Sequence, residues 1–109
     1  MGNTINILPK EISGSELAEV IKKTASQLGW KYRRYDHDYI VSSSSVKIQP
    51  KGFTLMIRPG FFGGSMRTTL EPTKTYSEFD LDSYERRIKK SNLELFASTL
   101  YKLLGETKS

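Results

Sequence analysis

The sequence predicts a small α+β domain in which an antiparallel sheet lies between two amphipathic helices along the chain. Three observations lead to this class: apolar residues at helical spacing in residues 13–29, short period-two runs in residues 30–73, and a second helical pattern in residues 80–104. A chain of 109 residues suits one hydrophobic core, so we expect a single domain. Two amphipathic helices need an apolar surface to cover, which predicts both helices on one face of the sheet.

The first helix is predicted from its cap. Ser13 and Glu16 have the spacing of a capping box, and Gly29 follows the last apolar residue of the pattern. Apolar side chains from Leu17 to Leu28 fall on one face, which indicates a helix that packs on the core. Residues 1–12 are expected to form an N-terminal arm.

The sheet is predicted as a meander of four strands, near residues 31–35, 39–43, 46–57 and 65–70. The third run is interrupted by QPKGF, where Pro50 and Gly52 suit a hairpin between 46–49 and 53–58 and would give a fifth strand. If 39–49 is instead one long strand bent at its serines, the number returns to four.

The faces of the sheet follow from the alternation of side chains along each strand. Phe53, Leu55 and Ile57 should face the helices, and Met66, Thr68 and Leu70 should do the same in the next strand. The other face should be wet, because Thr54, Arg58 and Arg67 alternate with these residues.

The last segment has helical composition and period. Asp80 and Asp82 are both good N-caps, and Gly105 is a plausible C-cap before the tail 105–109. Ser91 and Glu94 repeat the capping-box spacing, so the helix is expected either to run through residues 80–104 or to break near Ser91.

The positive charge is concentrated in the sheet segment. Residues 31–67 contain seven lysines and arginines against two aspartates, which accounts for the whole formal net charge of +5. A basic sheet attracts polyanions through counterion release. In KYRRYDHDY, tyrosines alternate with the cations and offer stacking surfaces for bases, although the same residues also suit a structural strand.

A second candidate surface is the turn RPGFFGGSMR. Its glycines suit a turn, but a turn has no need of Phe61 and Phe62, so either they cover an end of the core or they contact a partner. The glycines do not form a phosphate-binding loop, since Ser65 and Met66 follow Gly64 where that motif requires Lys and then Ser or Thr.

No catalytic or metal-binding motif is evident. His37 is the only histidine and lies between two turn-forming aspartates, and the four serines 42–45 have no neighbouring base. The absence of cysteine excludes disulfides and thiolate metal sites and favours the cytoplasm. We therefore expect no enzymatic activity, no cofactor, no metal, no membrane span and no secretory signal.

The order helix, sheet, helix is similar to that of double-stranded-RNA-binding domains. The segment RRIKKSNLELFA places basic residues before a helical run, as those domains do. The similarity covers the element order and this one cluster, and the chain differs at Asn92, Glu94 and Phe96 and by an extra strand. It is an analogy of topology, which implies nucleic-acid binding only by comparison.

Three functions remain open at this point. The first is contact with RNA or DNA through the basic sheet, and the second is docking of a protein on the Phe61–Phe62 turn or a strand edge. The third is a ligand cup in which the sheet curls around the long helix. The candidate contact residues are Arg33, Arg34, Tyr35, Lys47, Lys51, Arg58, Phe61, Phe62 and Arg67.

Overall fold

The fold is α+β, as predicted. A computed structural model describes residues 3–37, 40–41, 48–49, 52–60, 64–84 and 88–106. The elements in chain order are β1 (Asn3–Ser13), α1 (Gly14–Leu28), β2 (Lys31–His37), β3 (Ile40–Val41), β4 (Ile48–Gln49), β5 (Gly52–Arg58), β6 (Ser65–Leu70), β7 (Thr75–Tyr84) and α2 (Lys90–Glu106). The strands of the main sheet are all antiparallel and have the spatial order β1-β7-β6-β5-β2, while β3 and β4 pair with each other.

The caps of α1 confirm the predicted helix. The Ser13 hydroxyl accepts a hydrogen bond from the Glu16 backbone N–H at 3.2 Å, which satisfies a donor that the first turn leaves unpaired. At the other end Gly29 is left-handed, with φ of 72°, a conformation that glycine adopts without strain. Two further first-turn donors, the amides of Gly14 and Ser15, bind the carbonyls of Lys74 and Pro72 in the β6–β7 turn.

One buried cluster unites the helices with the sheet. Leu17 and Ile21 of α1 and Phe96 and Leu100 of α2 belong to it and are fully buried. Trp30, which lies between α1 and β2, stacks on Phe96 of α2 with ring centroids 5.8 Å apart. The sheet contributes the predicted residues Phe53, Leu55, Ile57, Met66 and Leu70, together with Phe79 and Leu81 of β7.

Two strands were not predicted. Residues expected to form an N-terminal arm are β1, and residues 80–84, expected to begin the last helix, belong to β7. The two strands pair with each other along the sheet, so each provides the hydrogen-bond partner that the other needs. In β1 the pairing is irregular between Ile7 and Ile12, where Pro9 has no N–H to donate.

The predicted hairpin between 46–49 and 53–58 is wrong, and so is a single strand through 39–49. β4 pairs with β3, and β5 lies between β2 and β6, with Lys31–His37 paired to Gly52–Arg58. The alternating Phe53, Leu55 and Ile57 explain this outcome, because a strand with one fully buried face is most stable in the interior of a sheet.

The last helix does not run through residues 80–104, and it begins close to the predicted break at Ser91. It begins at Lys90, and Gly105 lies inside it rather than after its end. The predicted helix, sheet, helix order lacks one strand, because β1 precedes α1 and pairs with β7. The topological analogy with double-stranded-RNA-binding domains therefore no longer supports a function.

No helix in the described ranges combines the length and the apolar character that crossing a membrane would require.

Candidate functional site

One face of the sheet lies opposite the core cluster, and we call it the open face. Strand register decides which side chains share it, because directly opposed residues of antiparallel strands point to the same side. Arg33 of β2 is opposite Met56 of β5, which is opposite Arg67 of β6. In the next row on this face, Lys31 is opposite Arg58. We call these four cations, Lys31, Arg33, Arg58 and Arg67, the basic half of the open face.

An exposed aromatic ring lies beside the basic half. Tyr35 follows Arg33 on the same face of β2 and is 43% exposed, one of the few large apolar side chains of the described chain that remain accessible. Arg33 is exposed as well, whereas Arg58 is half-buried. The residues of the basic half come from three adjacent strands, so they extend about 10 Å across the sheet.

Hydrogen bonds hold the three strands together beside this ring. The His37 ring nitrogen Nε2 lies 2.8 Å from the Thr54 hydroxyl, and that hydroxyl lies 3.1 Å from the hydroxyl of Thr69. Thr54 is also directly opposite Tyr35 in the register. His37 therefore has a structural partner on the open face, in a row that spans β2, β5 and β6.

Arg34 does not belong to the open face. Its register partner is the fully buried Leu55, and its guanidinium carbon lies 4.1 Å from the centroid of the Phe53 ring. Its Nε donates to the carboxylate of Asp36 at 3.0 Å. Arg34 thus covers the edge of the core. The neighbouring Tyr32 is partly buried, and this burial raises the pKa of its hydroxyl despite the opposing effect of Arg34.

The open face changes the sign of its charge at β7. Phe79 and Leu81 are buried, so the alternating Glu78 and Asp80 point to the other side and are exposed. In the register, β7 also places Asp82 opposite Arg67. We call these β7 positions the acidic half. Counting charge over residues 31–67 alone could not reveal it, since β7 was not predicted as a strand.

Four of the predicted contact residues lie outside the described residues: Lys47, Lys51, Phe61 and Phe62. Of the predicted contact residues that the structure describes, Arg34 lies on the core side of the sheet. The others lie on the open face: Arg33, Tyr35, Arg58 and Arg67.

A cleft of about 390 Å³ opens between β6 and β7. The ladder between these strands joins Ser65–Arg67 to Asp82–Tyr84 and stops there. If the register continued, Thr68, Thr69 and Leu70 would pair with residues of β7; instead the strands diverge and these residues line the cleft. Because the walls belong to two strands, this cleft is not the space between sheet and helix that a ligand cup would use.

The closed end of the cleft is the turn Glu71–Lys74. Here the Tyr76 hydroxyl accepts a hydrogen bond from the Glu71 backbone N–H at 2.8 Å, and the Lys74 ammonium lies 5.3 Å from the centre of the Tyr76 ring. Partial burial raises the pKa of Tyr76, although the Glu71 N–H opposes the change. The Gly14 and Ser15 amides bind the same turn to the start of α1.

One buried polar group lines this cleft. Thr68 is 4% exposed, and within the described part of the chain its hydroxyl has no hydrogen-bond partner. The hydroxyls of Thr24 and Thr99, also buried, bind the carbonyls of Val20 and Leu95. Among the described residues, no three acidic or histidine side chains gather as metal ligands would.

Comparisons with protein families, with curated proteins and with solved structures found no match to this chain.

Proposed function

We propose that the protein is a binding protein without catalytic activity and that it contacts RNA or DNA through the basic half of the open face. The observation that carries the proposal is that Arg33, Arg58 and Arg67, on three neighbouring strands, share a face of the sheet with exposed Tyr35. Cations that converge on one surface neutralise several phosphates at once, and an exposed ring beside them can stack on a base.

The charge pattern favours a single strand as the ligand. The basic half is about 10 Å wide by the strand spacing, and the acidic half lies directly beside it on β7. A backbone that follows β2, β5 and β6 avoids Glu78 and Asp80, whereas a duplex lying across the whole sheet would bring phosphates close to these carboxylates. Stacking on Tyr35 also requires unpaired bases.

Neutralising two cations of the basic half tests the proposal. The variant Arg33→Gln/Arg67→Gln should bind a labelled single-stranded oligonucleotide more weakly and lose about half of the salt dependence, since two of four phosphate contacts disappear. The matched control is Lys22→Gln/Lys23→Gln, which removes the same charge from the exposed side of α1. Equal weakening by both variants would mean that only the net charge matters and would contradict a defined interface.

A second function is favoured by one observation. β1 is an edge strand, and its Ile7 side chain is 73% exposed on the open face, opposite Glu78. An apolar side chain on the outermost strand of the described sheet suits docking of a protein strand. If a partner binds there, Ile7→Ser should abolish the complex while nucleic-acid binding persists.

A cytoplasmic location belongs to the proposal. It is supported by the absence of cysteine in a chain of this size.

A further inference from the structure

The cleft between β6 and β7 has the properties of a second binding site, separate from the basic half. Its two walls are strand edges whose ladder is interrupted after Arg67 and Asp82. Alternate residues of an antiparallel strand direct their N–H and C=O groups toward the same neighbour. Where the strands diverge, such groups on Thr68–Leu70 and on Thr75–Asp80 face the cleft without a ladder partner in the described sheet.

Thr68 supplies an independent indication of a ligand. A buried hydroxyl without a partner is unfavourable, because it has given up its hydrogen bonds to water. Thr24 and Thr99 avoid this through bonds to helix carbonyls, whereas Thr68 lines the cleft and its hydroxyl makes no such bond within the described part of the chain. A ligand that enters the cleft and offers a hydrogen-bonding group would complete this site.

The charges at the wall indicate what the ligand carries. Glu78 and Asp80 line the cleft and are exposed on the side of the open face, while Lys74 lies at the closed end beside Tyr76. Two carboxylates at the mouth favour a cationic side chain there. The facing strand edges favour a main chain that alternates donors and acceptors, which an extended peptide provides.

We propose that this cleft binds a short extended peptide segment with a lysine or arginine side chain, whose main chain pairs with β6 and β7 and whose cation lies between Glu78 and Asp80. The diverging part of β6 has three residues, Thr68–Leu70, which matches roughly 10 Å of extended peptide. The site makes no use of the basic half and does not depend on nucleic-acid binding.

The test uses NMR titration of the full chain with a capped tripeptide, threonine-lysine-threonine, which matches the length of the site. Saturable shifts of the amides of Thr68–Leu70 and Thr75–Asp80 are expected. Two matched peptides separate the contributions: one has every second amide N-methylated, which removes ladder donors, and the other has glutamate in place of lysine. Both should bind at least about tenfold more weakly, since each loses one kind of contact.

Protein variants locate the site independently of the peptides. Glu78→Gln/Asp80→Asn and Thr68→Val should each reduce affinity several-fold, while Glu19→Gln, an exposed acid on α1, should leave it unchanged. The thermal unfolding of each variant shows that it is folded. The proposal is overturned if no binding occurs at millimolar peptide, if the shifts lie elsewhere, or if the N-methylated peptide binds as well as its parent.

Discussion

Arg33 and Arg34 are adjacent in the chain and lie on opposite faces of the sheet. Arg33 is opposite Met56 on the open face, whereas Arg34 is opposite buried Leu55 and lies over the Phe53 ring at 4.1 Å. The period of two along a strand is the whole reason for this separation. The two adjacent arginines are therefore expected to have different roles.

Substituting these two arginines one at a time should separate binding from stability. Arg33→Gln should reduce the salt slope of oligonucleotide binding by about 0.7 and leave the free energy of unfolding unchanged. Arg34→Gln should lower the free energy of unfolding by about 0.5–1 kcal/mol, because the cation–π contact is lost, and should leave binding nearly intact. Fluorescence anisotropy and urea unfolding measure the two quantities. The reverse assignment would contradict the placement of the two side chains.

Removing the hydroxyl of Thr68 should stabilise the ligand-free protein. Thr68→Val keeps the shape and removes a buried hydroxyl that has no partner among the described residues, so we expect a gain of about 1 kcal/mol. Thr24→Val is the matched control, since its hydroxyl donates to the Val20 carbonyl at 2.7 Å, and it should lose about 0.5–1.5 kcal/mol. Chemical unfolding of both variants checks this, and a loss of stability in Thr68→Val would show that its hydroxyl has a partner.

Gly14 should tolerate no side chain. A Cβ at this position would overlap the Glu71 carbonyl oxygen and lie 3.2 Å from the Pro72 Cα, both of them backbone atoms that cannot rotate away. Gly14→Ala should therefore destabilise the protein by about 2 kcal/mol or more.

The matched control for Gly14 is Gly105. It lies in α2, and among the described residues no atom outside the helix's own backbone would lie within 4 Å of a methyl group added there, so Gly105→Ala should be neutral or stabilise by up to about 1 kcal/mol. Thermal unfolding of both variants measures the contrast. Similar melting temperatures for the two would contradict the close contact between α1 and the β6–β7 turn.

Stability should fall at alkaline pH. Burial raises the pKa of Tyr76 above its ordinary value of 10.0 and acts in the same direction on Tyr32. A group with a raised pKa in the folded state contributes its full stabilisation below the unfolded pKa and loses it as pH rises through the folded pKa. The melting temperature should therefore decline above about pH 10.

The Tyr76→Phe variant isolates this effect. It should lose about 1 kcal/mol at neutral pH, because the Glu71 N–H loses its acceptor, and it should show a smaller decline above about pH 10. Melting curves from neutral to strongly alkaline pH compare the two proteins. An alkaline decline of equal size in both would show that Tyr76 contributes nothing to it.

Local signals sufficed for much of the fold. Ser13, Glu16 and Gly29 act within one helix, and β5 and β6 have alternation strong enough to assign both their extent and their buried face. β7 was missed because Asp80 and Asp82 also suit helix caps, and acidic residues are uncommon in strands. Its formation depends on pairing with β1, at the other end of the sequence, which no local pattern reports.

Part of the candidate site could likewise be predicted from the sequence, and part could not. Alternation predicts which residues of β2 and β6 share a face, and Arg33, Tyr35 and Arg67 do so. The acidic half could have been recognised from the period of two in FDLD, where Phe79 and Leu81 alternate with carboxylates. The cleft could not, because it arises where the β6–β7 turn is bound to the first turn of α1.

The salt dependence of oligonucleotide binding tests the central claim most directly. A labelled single strand is titrated with the protein at salt concentrations from about 50 to about 200 mM. With four cations in contact, the slope of log K against log salt should be about −3, which weakens binding by roughly 50-fold over this range. Absence of binding at the lowest salt concentration, or an affinity that salt does not change, would contradict the assignment of the basic half as a nucleic-acid interface.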